Sequence, residues 1–226
     1  IDDLTLMLEV CRGHDLDDPL SAPVSARFDD LSEVPLQDLR VGYSEDFGGA
    51  PVDPAIRETF KARVETLRPH VKECRPVDLN FGDMDRCFDI LRAESFGVAF
   101  SAGVQEDPDS FGPHIKENVA LGQAMSLADR GWAHNEQTRI LRRFNALMSK
   151  VDVIVLPTSP VSPFTWTQSH PARIDGQDMD IYYRWLALCY RGSLSGGPAI
   201  TLPCGRDAFG MPFGLQMLGA VRCDEQ

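Results

Sequence analysis

The chain has 226 residues, 43% hydrophobic and 25% charged, a composition that excludes a disordered polymer. Against 22 Lys and Arg stand 34 Asp and Glu, a formal charge of −12, so the long-range field repels phosphate backbones and anionic headgroups, and neither nucleic acid nor a membrane is expected as a partner. No run approaches the roughly 18 apolar residues of a bilayer span. The six cysteines form no Cys-x-x-Cys pair, so a soluble, cytoplasmic protein with reduced, mostly buried thiols and no bound metal is expected.

Leu4, Met7, Leu8 and Cys11 share one helical face closed by Gly13, which predicts a short amphipathic helix in need of a partner surface. Ile1 lies inside this pattern without a start signal, so the chain reads as cut there. Residues 14–38, rich in Asp and Pro without an apolar period, predict a long surface connection. Leu39, Val41 and Tyr43 alternate as a strand does. After a turn at Gly48-Gly49, Asp53 as N-cap and Pro54 at the first turn start a helix through Ile56, Phe60, Val64 and Leu67, and residues 71–77 follow as a strand. This succession of about thirty-five residues has the length of a parallel crossover. The expected fold class is α/β, a mixed β-sheet flanked by helices.

Met84, Cys87, Phe88, Leu91, Ser95 and Val98 predict a third helix, and residues 113–150 carry one long helical pattern ending in Ile140, Phe144 and Met148. Residues 151–156, β-branched and stopped by Pro157, are expected as a central strand buried on both faces. Residues 199–203 and 213–218 are expected as neighbouring antiparallel strands, and the second, where Phe213, Leu215 and Met217 alternate with Gly214 and Gln216, is expected nearer an edge than residues 151–156.

Constellations with chemical meaning are few. Ser193-Leu194-Ser195-Gly196-Gly197 resembles a loosened nucleophile elbow, but a helix-like run precedes it and Pro198 leads into a strand, the reverse of what an elbow needs. A tight Gly-Ser loop is the preferred reading. Asp15, Asp17 and Asp18 begin like a calcium loop, yet Leu20 and Ala26 stand where its glycine and bidentate glutamate belong. The five histidines make no ligand pair in sequence. Arg139, Arg142 and Arg143 form a stripe that pairs more readily with carboxylates than with phosphate in so acidic a chain. Lys61, Lys72, Lys116 and Lys150 all have polar neighbours, unlike a base that must shed its proton in a dry pocket.

Five segments in order and spacing resemble the C-terminal half of an amidase signature family enzyme. They are Asp3 to Leu8 with Gly13 and Asp18-Pro19-Leu20-Ser21; Leu39-Arg40-Val41-Gly42-Tyr43; Asp152-Val153-Ile154-Val155-Leu156-Pro157-Thr158-Ser159-Pro160; Gly197 to Gly205; and Gly210 to Gly219. The resemblance implies hydrolysis of a carboxamide by a serine, assisted by a second serine and an unprotonated lysine, with no cofactor. Those residues lie upstream in the family, so no catalytic residue is assigned within this chain, and residues 1–226 are expected as a single partial domain, inactive alone. The implied partners are a small-molecule amide and the missing N-terminal half or a second copy. Tyr182, Tyr183 and Trp185 look more like free-standing amidases than the tRNA amidotransferase component of the family.

Thr158, Tyr182, Trp185 and Ser195 are the substrate-binding candidates, with plain packing the alternative for each. Two functional readings stay open. One is an amidase lacking its N-terminal half. The other is a non-catalytic remnant or partner-binding module, or a subunit of an amidotransferase-like complex.

Overall fold

In the computed structural model, which describes residues 2–18, 21 and 34–224, the opening helix forms at Asp2–Cys11 (α1). Its apolar side chains stay in solvent, with Leu6 65% and Val10 77% exposed. Gly13 follows without the left-handed backbone of a capping glycine. The expected connection over residues 14–38 falls mostly outside the described residues, as do Leu20 and Ala26 of the calcium-like spacing.

The crossover unit then forms as its spacing requires: Arg40–Tyr43 (β1), Pro54–Leu67 (α2) and Glu73–Pro76 (β2). The two strands pair in parallel, Val41 opposite Cys74. Gly48 and Gly49 take φ of 74° and 99° in the turn between β1 and α2, a region that only glycine enters freely. Pro54 opens α2, but the Asp53 side chain makes no capping bond. Its backbone N–H donates to the Pro160 carbonyl at 2.9 Å instead, tying the helix start to a loop a hundred residues on.

Met84–Glu106 (α3) runs past the expected end at Val98, and Gly97 lies against Gly122 of the next helix, where a missing Cβ lets the backbones approach. The single long helix expected over residues 113–150 is instead two, Pro113–Ala124 (α4) and Leu127–Met148 (α5). Ser126 makes the break. Its Oγ accepts from the Asp129 N–H at 3.1 Å while Asp129 accepts from the Ser126 N–H at 3.2 Å, and this reciprocal box starts a new helix although the apolar period continues.

Val153–Pro157 (β3) pairs in parallel with β1. After a small hairpin, Arg173–Ile174 (β4) and Gln177–Asp178 (β5), come Ala187–Ser193 (α6), Ala199–Arg206 (β6) and Pro212–Leu218 (β7). The described residues build a five-stranded sheet in the order β2-β1-β3-β7-β6. The β-branched strand is central, as expected, with Ile154, Val155 and Leu156 buried. β7 runs antiparallel to both β3 and β6, and β6 forms the edge, its exposure alternating along the strand. Phe47, Phe60, Phe144, Leu156, Tyr183 and Leu188 join one core.

The expectation of mostly buried thiols is corrected: Cys87 alone is buried, Cys74, Cys204 and Cys223 are half-buried, and Cys11 and Cys189 are exposed. Cys11 shares the bare face of α1, and Cys189 sits at the surface of α6, so apolar periodicity placed both on faces that this chain does not cover.

Candidate substrate cleft

Ligands of open α/β sheets collect outside the carboxyl ends of the strands, and β3 ends at such a place. Beyond Pro157, the Thr158 N–H donates to the Gly214 carbonyl of β7 at 3.1 Å, and its hydroxyl donates to Thr201 of β6 at 3.5 Å. Ser159 turns its hydroxyl onto the Val161 carbonyl at 2.8 Å. A 3-10 turn at Arg184–Leu186 leads into α6 and faces this strand end. Between them lies a cleft of about 180 Å³, with Thr158, Ser159 and Pro160 on one side and Trp185, Leu186, Leu188 and Cys189 on the other. Phe164 stands edge-on to Trp185, ring centroids 5.5 Å apart.

The helical wall is pinned to α3. Asp85 and Asp89, four residues apart, share one face of that helix. Asp89 takes two bonds from the Arg184 guanidinium, the shorter at 2.8 Å, and Arg184 also binds Asp180 at 2.7 Å. Asp85 takes two from Arg191, at 2.9 and 2.8 Å. Tyr183 and Tyr190 donate their hydroxyls to the same two carboxylates, at 2.9 and 2.8 Å. Burial pushes the Asp85 carboxyl up, but the bonds and charge of Arg191 outweigh it and hold the group below its usual range. Burial, then the Asp85 charge, pushes the Tyr190 phenol well up, so it stays a proton donor.

Two of the four sequence candidates, Thr158 and Trp185, meet in this cleft. Tyr182 lies elsewhere: its hydroxyl accepts from Arg92 at 2.7 Å and from Asn118 at 3.0 Å, and its ring stacks on His114 at 3.8 Å. His170 stands edge-on to His114 at 6.2 Å, so the fold joins two histidines distant in sequence. Ser195 is 1% exposed and donates to the Gly192 carbonyl at 2.6 Å. It follows α6 in a turn closed by Gly196 at φ 68°, a tight loop that shields its hydroxyl.

The lysines lie outside the cleft lining. Lys61 pairs with Glu45 and Glu58, Lys72 and Lys150 are exposed, and Lys116 is half-buried. In the basic stripe, Arg139 binds Glu136 at 2.9 Å and Arg143 donates to the Phe81 carbonyl at 2.6 Å. Among the described residues no helix is long and apolar enough to cross a membrane. Sequence reasoning missed Ser159, Pro160, Leu186, Leu188 and Cys189 as lining residues. The available signal was their place beside a strand end and after Trp185.

The whole sequence, residues 1–226, matches the amidase family. Among curated proteins it is 28% identical over 262 residues to the A component of the glutamyl-tRNA(Gln) amidotransferase of Salinispora arenicola, covering 99% of this chain and 51% of that protein. The corresponding protein of Chlorobium luteolum is also 28% identical, over 96% of this chain and 49% of that protein. A bacterial aryl acylamidase of the amidase signature family superposes with a TM-score of 0.83 at 22% identity, over 99% of this chain and 48% of that one. The A component of the Thermotoga maritima glutamyl-tRNA(Gln) amidotransferase superposes at 0.67 with 20% identity, over 99% and 48%. The chain thus spans about half the length of these relatives. With a family match along its whole length and a mixed sheet that superposes on theirs, the chain belongs to the amidase family.

Proposed function

We propose that these 226 residues form one wall of an amide-hydrolysing site. In this reading the C–N bond of a small-molecule carboxamide is broken by a serine that a second serine and an unprotonated lysine activate, all three supplied by residues outside this sequence. The cleft at the carboxyl end of β3 carries the proposal. It is a concave, largely apolar recess held by two arginine–carboxylate pairs, with Thr158 and Trp185 as substrate contacts. Ser195 supports the division of labour, since its hydroxyl is buried and spent on a backbone carbonyl. Tyr182 lies outside the cleft on Arg92 and Asn118, and Ser195 closes the loop that follows α6 through its bond to the Gly192 carbonyl. The same reading needs no cofactor and places the protein in the cytoplasm.

The test is release of ammonia or amine from simple amides. The chain alone is expected to show none, and mixing with the complementary half of a relative is expected to restore it. Activity of the chain alone that disappears in Ser195→Ala would overturn the assignment.

The exposed apolar face of α1 favours a second reading, a partner-binding module whose partner is the other half of the fold or a second copy. The same wall would serve in one component of an amidotransferase-like complex.

A further inference from the structure

We infer that residues 163–169 form a lid over the cleft at the end of β3, latched by Phe164 on Trp185 and closed by burial of Trp166. This rests on reading the cleft as a substrate site and adds how that site is shut. The chain leaves one wall of the cleft at Pro160, and Phe164 already stands edge-on to Trp185 of the other wall. Both ends of the segment are fixed. The Pro160 carbonyl accepts from the Asp53 N–H at 2.9 Å, Val161 is buried, and the Ser162 hydroxyl donates to Asp207 at 2.6 Å. At the far end Pro171 is buried, the Ala172 carbonyl accepts from the Met179 N–H at 2.9 Å, and His170 stands against His114 of α4.

Residues 163–169 between these anchors are all exposed. Their hydrogen bonds among the described residues stay within the segment and its neighbour His170: the Gln168 N–H donates to the Thr165 carbonyl at 3.0 Å, and Gln168 Nε2 to the His170 carbonyl at 2.9 Å. A segment bonded to itself, held at both ends and meeting the cleft wall through one ring has the build of a unit that swings on two hinges. Trp166 supplies the drive. The turn from Thr165 to Gln168 puts it at the first central position, a place more often held by Pro, Asp or Ser, and leaves it 93% exposed. Two residues span at most about 7 Å, so a ring carried two positions beyond Phe164 reaches Leu186 and Cys189, the exposed part of the lining. Closure takes the apolar surfaces of Trp166 and Leu186 out of water together.

Cross-linking tests this. Trp166→Cys in a Cys11→Ser background puts a thiol at the tip of the lid, and the native Cys189 offers the second from the cleft wall. A disulfide needs Cα atoms within about 7 Å, so diamide oxidation followed by peptide mass spectrometry reads closure. A 166–189 link is expected, and is expected to be absent when Cys189→Ser is added. Ser169→Cys, equally exposed but beside the anchored end, is expected to link to Cys189 at least ten-fold more slowly. Equal rates at the two positions, or no 166–189 link in a chain whose circular dichroism is unaltered, overturns the lid. Turnover of acetamide and benzamide separates it from the reading beneath it. Joined by a complementary half, the cross-linked chain is expected to lose turnover at least ten-fold and to regain it on reduction with dithiothreitol. Turnover untouched by the cross-link removes the lid and leaves hydrolysis standing. If no joined chain turns over any amide, the hydrolytic reading falls and the 166–189 link alone decides the lid.

Discussion

Arg191 holds Asp85 by two parallel N–H···O bonds, 2.9 and 2.8 Å, across 106 residues of chain, while its remaining nitrogen donates to the Phe47 carbonyl at 2.9 Å. One turn further along α3, Asp89 and Arg184 repeat the arrangement. Trp185 therefore owes its position beside β3 to two carboxylates on a helix that does not touch the cleft.

Asp85→Ala is expected to cost about 3 kcal/mol, because it strands a buried guanidinium. The double variant Asp85→Leu with Arg191→Met removes both charges and is expected to lose less. Urea midpoints measure both, and a double variant as unstable as the sum of its single changes would show that the pair is not coupled.

Acid should loosen this wall in a defined window. Arg184 lowers the Asp180 carboxyl chiefly by hydrogen bonding, and at Asp85 the Arg191 pair outweighs burial. Both folded values lie below the unfolded value of about 3.9, so the stability they confer is full above that pH and is lost as pH falls through the folded values. Urea midpoints taken from about pH 6 down to about pH 3 should fall at the acid end, and fall less in Asp85→Asn.

Thiol chemistry should sort the cysteines. Burial first, then the Glu136 and Asp83 charges, pushes the Cys87 thiol up to about 12, and the thiolate is the reactive form. Iodoacetamide at neutral pH is expected to label the exposed Cys11 in the folded chain and Cys87 only after unfolding, with mass spectrometry as the readout. Equal labelling of the two would contradict the packing around α3.

Gly48→Ala is expected to destabilise by about 2 kcal/mol or more. Its φ is +74°, and a Cβ there would lie 2.7 Å from the Asn80 nitrogen and 2.8 Å from the Leu79 carbonyl oxygen, backbone atoms that cannot swing aside. Thermal melts compare the variant with Gly49→Ala, which shares the left-handed φ but meets no neighbour within 4 Å and so isolates the clash.

Leu6 and Val10 of α1 are 65% and 77% exposed, a bare apolar face that favours association. The chain is expected to bind an apolar dye and to self-associate at high concentration, and Leu6→Glu with Val10→Glu to reduce both. Light scattering of a monomer in the unaltered chain would show that the face needs no cover.

Local pattern determined much of this molecule. The β1–α2–β2 crossover follows from apolar spacing and turn glycines, and the centrality of β3 follows from its unbroken β-branched run. The resemblance carried by the segment at 152–160 made Thr158 a candidate, and the aromatic run Tyr182, Tyr183 and Trp185 ahead of the segment at 197–205 made Trp185 one. Even the helix break was written locally, as Ser126 and Asp129, but a continuing apolar period masks a reciprocal pair of hydrogen bonds. The Asp175-Gly176 hairpin was likewise present as a turn signal. Tertiary structure alone decided the cleft, since its two walls come from a strand end and a helix that Thr158 and Cys189 mark 31 residues apart. It alone also chose the partners of the arginines. With 34 carboxylates and 22 cations in the chain, local sequence leaves the pairings degenerate, and only the packing of α6 and the 3-10 turn before it on α3 brings Asp85 to Arg191 and Asp89 to Arg184, where burial makes each pairing count.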